Sequence, residues 1–177
     1  GKGSLDMLGQ LATDKQISKA LIVCDQALAD IGQRVSTLLR KAGIDSILFT
    51  DIRPEPTDES IMNGVNAANS SGGIDGVIGI GGGSSLDTAK CINVLLNNPG
   101  PLKLYASIGG DLPTKTGFPL ILVPTTAGTG AECTFSSIFT CMETGQKMSV
   151  RKPNCTLASA AIIDPLMTLH MPKMLTL

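Results

Sequence analysis

The stretch "VIGIGGGSSLDTAK", residues 77–90, runs an apolar segment straight into three glycines, two serines and a helix-like pattern. Glycine loses more backbone freedom on folding than any other residue, so three in succession require a cause. A tight strand-to-helix turn is one cause, because it needs backbone angles that side chains obstruct. A phosphate ligand is the other: without Cβ atoms, main-chain N–H groups can close around an anion at a helix N-terminus. The stretch is neither G-x-G-x-x-G nor a Walker loop, since no G-K-[ST] follows, so its surroundings must decide.

Working outward, short apolar runs alternate with helix-period segments. "ALIVCD" (20–25), "SILFT" (46–50), "GVIGI" (76–80) and "FPLILV" (118–123) read as strands. Residues 27–43 read as a helix with Ile31, Val35, Leu38 and Ala42 on one face and Gly43 as its stop. Residues 58–72 form a weaker helical pattern with Ile61, Val65 and Ala68 aligned, and 85–98 a third. "TFSSIFT" (134–140) reads as an edge or hairpin strand, "AAIID" (160–164) as a late strand, and 98–117 as a long irregular loop. Strands apolar on both faces and separated by helices indicate a parallel sheet covered on both sides, a doubly wound, Rossmann-like α/β domain.

Composition narrows the function classes. The 177 residues suit one domain, and 42% hydrophobic against 16% charged residues argues against disorder. A net charge of -1 with no Trp and one Tyr offers neither a field for nucleic acid or membrane nor platforms for stacking bases. No apolar run reaches a membrane span and the first residues lack a signal-peptide core, so a cytoplasmic protein is expected. Cys24, Cys91, Cys133, Cys141 and Cys155 form no CxxC pair and read as small buried thiols. His170 is the single histidine, which excludes a self-contained site needing two imidazoles; it reads as a loop or surface residue.

In a doubly wound sheet, ligands sit beyond the carboxyl ends of the strands. Asp25 stands at the first such end, where its carboxylate can accept from a ribose diol or cap the following helix. At the second, Gly81, Gly82 and Gly83 leave the main chain open, and Ser84 with Asp87 fits a capping box. Lys90 reads as the exposed partner of Asp87 one helical turn on. The third end, "PTTAGTGAE", sets the hydroxyls of Thr125, Thr126 and Thr129 among glycines, more hydroxyls than a turn needs, and suits ribose or phosphate. Glu132 reads as a complement to a helix start.

The pair "GIGGGSSLDTAK" and "PLILVPTTAGTGAE" closely resembles the iron-containing (group III) alcohol dehydrogenase family, whose fold is shared with dehydroquinate synthase. The likeness extends from "GKGSLDML" through "LIVCD" and "PEPT" to "AIIDPLMTLHMPKMLT". It implies that residues 1–177 are an NAD-binding α/β domain, and that an alcohol and an aldehyde or ketone are its small-molecule substrates. It places Gly82, Gly83, Ser84 and Asp87 along the pyrophosphate and nicotinamide side, and Thr125, Thr126 and Thr129 along the adenine and ribose side. Asp25 would select NAD, and Lys147, by itself only a solvated cation, would approach the nicotinamide ribose.

Glu55 departs from the Asn common at its position, which puts a cofactor contact there in doubt, and Ala131 replaces a common Ser. The resemblance also implies a divalent metal, iron or zinc, whose Asp and His ligands lie in a helical C-terminal domain outside this chain. It therefore implies no metal ligand and no catalytic residue here, an isolated chain that is inactive, a start one strand late, and a homo-oligomer when intact. A dehydroquinate synthase-like lyase and a non-catalytic nucleotide-binding module are the alternative readings.

Overall fold

Six residues, Lys19–Cys24, form β1, and of these only Lys19 is not fully buried. The computed structural model describes residues 1–106, 110–169 and 171; His170 lies outside the described residues. β1 pairs in parallel with β2 (Asp45–Phe49) on one side and β3 (Gly76–Gly81) on the other. β3 pairs in parallel with β4 (Leu120–Pro124), and β4 with the two-residue β7 (Ala160–Ala161). Among the described residues the sheet therefore runs β2-β1-β3-β4-β7. This is the expected doubly wound α/β architecture.

Strand alternation builds a core on each face. Leu21 and Val23 of β1, Val77 of β3 and Leu120 and Leu122 of β4 point to one side. There they meet α3 (Asp58–Ser70) and α4 (Gly83–Asn97) through Ile61, Val65, Leu86 and Ile92. Ala20, Ile22, Cys24, Ile78, Ile80, Ile121 and Val123 point the other way, onto α1 (Leu8–Asp14) and α2 (Ala29–Lys41). Gly79 lets α4 lie close on β3: a Cβ there would stand 2.8 Å from the Ala89 methyl.

Helix α2 buries Gly32, Val35 and Leu39, while Ile31 and Leu38 are half-buried and Ala42 is exposed, so the expected apolar face is rotated. The cause is Gly32, which brings the helix against the sheet: a Cβ there would meet Leu48 Cδ1 at 2.6 Å and Cys24 Sγ at 2.9 Å. Gly43 ends the helix region at φ 78, as its position suggested.

The strand expected near 134–140 is one arm of an antiparallel hairpin, β5 (Ser136–Thr140) with β6 (Lys147–Arg151). The described part of the irregular 98–117 region is tied to α4 by asparagines. Asn98 exchanges hydrogen bonds with Lys115 (Nδ2 to O and N to Oδ1, both 2.9 Å), and Asn93 does the same with Phe118 at 3.0 Å. α5 is a single turn, Pro153–Thr156. Among the described residues, no helix is long and apolar enough to cross a membrane.

Candidate functional site

Parallel register sets three chain turns side by side. Cys24 pairs with Ile80, and Gly81 with Pro124, so β1, β3 and β4 end level at Asp25, Gly82 and Thr125. Asp25 is extended, and its Oδ1 accepts from Ala27 N at 2.7 Å, capping a short 3-10 turn, Gln26–Leu28. The carboxylate both caps this turn and lines the groove beyond the sheet.

The glycine turn is built by two different demands. Gly81 has φ 141, and a Cβ there would fall 2.5 Å from Ser85 Oγ, so chain geometry alone requires glycine. Gly82 is extended (φ -78, ψ -175), a conformation open to any residue, yet a Cβ would project to 3.3 Å from Thr126 Cγ2. At Gly83 it would come 3.5 Å from Thr129 Cγ2. The glycines thus face the threonine loop across a narrow gap that a side chain would fill.

The Ser84–Asp87 capping box is not formed. Gly82 itself is the N-cap of α4, and no side chain caps it. The helix starts before Ser84, which leaves Ser84 inside the first turn, where its hydroxyl donates to Pro54 O at 2.5 Å. Asp87 instead reaches the hairpin, with Oδ2 accepting from Ile138 N at 3.0 Å. The uncapped first turn presents the positive end of the helix to the gap.

Across the gap, Thr125 N donates to Gly81 O at 2.9 Å, which fixes the threonine loop to the glycine turn. Gly128 (φ 110) and Gly130 (φ 61) turn the loop. Thr129 Oγ1 accepts from Ala131 N at 3.4 Å. The Thr126 hydroxyl is buried without a partner among the described residues. A buried hydroxyl left unpaired beside an open glycine cradle fits a polar ligand in the gap.

Two cavities join here. One of about 650 Å³ is lined by Asp25, Gly82, Thr125 and Thr126. Its neighbour, about 410 Å³, is lined by Asp87, Glu55 and Lys147. Pro54, Gly83, Ser84 and Thr129 line both, so they form one groove. The structure thus gathers Asp25, Gly82, Gly83, Ser84, Asp87, Thr125, Thr126, Thr129 and Lys147 around a single groove. Lys147, the exposed first residue of β6, pairs with Glu55 Oε1 at 2.8 Å.

Lys90 is the residue that sequence reasoning misplaced. It is fully buried rather than a solvated partner of Asp87. Its Nζ donates to Ala131 O (2.6 Å), Ser136 O (2.9 Å) and Thr134 Oγ1 (3.1 Å), with Asp87 Oδ1 at 3.7 Å. The hairpin that covers this side of α4 lies more than 40 residues on in the sequence. One signal was available: Leu86, Ala89, Cys91, Ile92, Val94 and Leu95 occupy all sides of the helix, leaving no wet face.

Burial pushes the Lys90 ammonium below its usual pKa, against the pull of Asp87. Burial likewise raises Asp87, against the Ile138 N–H and Lys90. Glu132 sits in a 3-10 turn, Ala131–Cys133, where its Oε2 is buried without a partner among the described residues.

Cys133 is exposed, contrary to the expectation of buried thiols, because that turn lies at the rim of the threonine loop; the other four are buried. Burial raises the Cys24 thiol to about 11 and Cys91 to about 12, which suits inert packing. Among the described residues no three His, Cys, Asp or Glu side chains are grouped to hold a metal.

Residues 1–165 match the family model described as iron-containing alcohol dehydrogenase. The chain is 35% identical to a sulfoacetaldehyde reductase of Bilophila wadsworthia, over 99% of this chain and 45% of that protein. It is 36% identical to the long-chain-alcohol dehydrogenase 1 of Geobacillus thermodenitrificans, over 99% of this chain and 44% of that protein. A 1,3-propanediol oxidoreductase structure superposes with a TM-score of 0.91 at 30% identity, covering 99% of this chain and 46% of that one. A sulfoacetaldehyde reductase from Bifidobacterium kashiwanohense, solved in complex with NAD+, superposes with a TM-score of 0.89 at 26% identity over 99% and 46% of the two chains. The chain thus spans less than half the length of these relatives.

Proposed function

Since this chain belongs to the iron-containing alcohol dehydrogenase family, we propose that it is the NAD-binding part of an enzyme interconverting an alcohol and an aldehyde or ketone. The observation that carries this reading is the groove itself. An uncapped helix start and side-chain-free glycines face an unpaired threonine hydroxyl across a gap that a Cβ at Gly82 would fill. Gly82 and Gly83 would receive the diphosphate on main-chain N–H groups. Thr125, Thr126 and Thr129 would hold the adenosine side by neutral hydrogen bonds, and Asp25 would accept from the ribose diol while repelling a 2′-phosphate. Ser84 and Asp87 would border the nicotinamide, and Lys147 would donate to its ribose.

When bound, NAD supplies the hydride acceptor or donor. The protein's part is to orient it: Ser84 and Thr129, common to both cavities, would fix the bend between the adenosine and nicotinamide halves. The described residues offer no donor set for a metal ion, so they do not fit one. We propose that the divalent metal, iron or zinc, draws its ligands from the part of the relatives that this chain does not span, and that this chain alone is inactive.

Calorimetric titration of the folded chain with NADH and with ADP-ribose tests the groove. Saturable binding of both is expected. Absence of binding at millimolar ligand would overturn the reading.

A further inference from the structure

Glu55 lies on a segment pinned at both ends. Pro54 O accepts from Ser84 Oγ at 2.5 Å, and Pro56 O accepts from Thr140 N at 2.7 Å. Two prolines fix φ on either side of Glu55 and stiffen the segment further. Thr140 is also the cross-strand partner of Lys147. The residue that anchors the Glu55 segment therefore also positions Lys147, so the backbone sets the meeting of carboxylate and ammonium at 2.8 Å. Glu55 and Lys147 are 65% and 64% exposed, and both line the 410 Å³ cavity.

Among the described residues Lys147 is the one cation lining that cavity, while Glu55 and Asp87 are both carboxylates there. Glu55 takes up a donor of this cation and adds negative charge to the side of the groove that an anionic dinucleotide would enter. Lys147 is an exposed, flexible cation, and its pair with Glu55 is weak enough to exchange for a ligand.

We propose that Glu55 restrains dinucleotide binding by competing with the ligand for Lys147. This rests on the nucleotide-binding reading of the groove. Glu55 acts as an affinity-setting residue: its carboxylate holds one of the three N–H donors and restrains the reach of the ammonium toward the ligand. Removing the carboxylate frees the cation and lowers the negative charge of the cavity, and both effects tighten binding.

The test is a double-mutant cycle on the full chain, with ADP-ribose and NADH titrated at low ionic strength into the wild type, Glu55→Gln, Lys147→Met and the double variant. Both positions are exposed, and matching thermal midpoints check that each variant folds. Glu55→Gln should tighten both ligands by about two- to five-fold, the range expected of an exposed pair. In the Lys147→Met background the gain should fall to less than about half, because the competition has been removed. Unchanged or weaker binding by Glu55→Gln overturns the inference, as does an equal gain in both backgrounds. If the wild type binds neither ligand, the groove reading falls and this inference falls with it.

Discussion

The Lys90 ammonium donates to the Ala131 carbonyl at 2.6 Å from a position with no solvent exposure, tying the middle of α4 to the far end of the threonine loop. The same nitrogen donates to Ser136 O at the start of the hairpin. One side chain thus joins the helix that follows the glycine turn to the loop that faces it.

Replacing Lys90 by Met keeps the volume and removes the donors. The carbonyls of Ala131 and Ser136 would lose their shortest donor and keep only the longer contacts from Thr134 at 3.3–3.4 Å, and Asp87 would lose its cation. A loss of about 3 kcal/mol is expected, since breaking a buried polar network strands the remaining partners. Urea unfolding of the wild type and Lys90→Met measures it. A change below about 0.5 kcal/mol would show that water replaces the ammonium at no cost.

The fold and the groove were largely legible in the sequence, because their signals are local. β1, β3 and β4 are buried on both faces, so beyond Lys19 at the start of β1 every position is apolar, and the helices between them dictate parallel pairing. Level strand ends then bring Asp25, Gly82 and Thr125 together. What was misread or missed depends largely on pairings distant in sequence. Lys90 meets Ser136, 46 residues on, and Lys147 meets Glu55, 92 residues back. Ser84 satisfied a local capping rule, but Pro54 O, 30 residues earlier, took its hydroxyl.

Asp164 makes acid stability testable. Its carboxylate accepts from Gly3 N (3.0 Å), Leu5 N (3.1 Å) and Leu166 N (3.0 Å), joining the first turn of the chain to a late one. Burial acts to raise its pKa, but these N–H groups and the N-terminal ammonium outweigh it and hold the carboxyl below its ordinary value of 3.8. A carboxylate with a depressed folded pKa contributes stability that is complete above its unfolded value. That stability is lost as pH falls through the folded one. The thermal midpoint of the wild type should therefore drop as pH falls below 3.8. Asp164→Asn should be less stable near neutrality and lose less on acidification. Parallel acid profiles for the two proteins would refute the assignment.

Asp25 separates capping from cofactor choice through two substitutions. Asp25→Asn keeps an acceptor for Ala27 N and removes the charge, whereas Asp25→Gly removes both. If the carboxylate repels a 2′-phosphate, both variants should narrow the preference for NADH over NADPH, by about 1 kcal/mol or more for one charged contact. Only Asp25→Gly should lower the unfolding midpoint. Competition binding with the two reduced cofactors reads the first effect. An unchanged ratio in both variants would leave Asp25 as a cap alone.

Gly81 and Gly82 are adjacent and predict opposite outcomes. Gly81 holds φ 141 with Ser85 Oγ 2.5 Å from where a Cβ would lie. Gly81→Ala is therefore strained in its backbone and crowded by the next helical turn, and should cost about 1–3 kcal/mol of stability. Gly82 holds an extended conformation that Val adopts readily, and its missing Cβ faces only the Thr126 side chain across the groove. Gly82→Val should thus alter stability by less than about 1 kcal/mol, because it adds neither backbone strain nor a core clash. Its branched side chain would nevertheless occupy the space over the first turn of α4, and dinucleotide affinity should fall at least about ten-fold, or 1.4 kcal/mol. Thermal unfolding and ADP-ribose titration on the two variants check both halves. A Gly82→Val chain that binds ADP-ribose as the wild type does would show that the diphosphate lies elsewhere. A Gly81→Ala chain of unaltered stability would show that the turn relaxes without glycine.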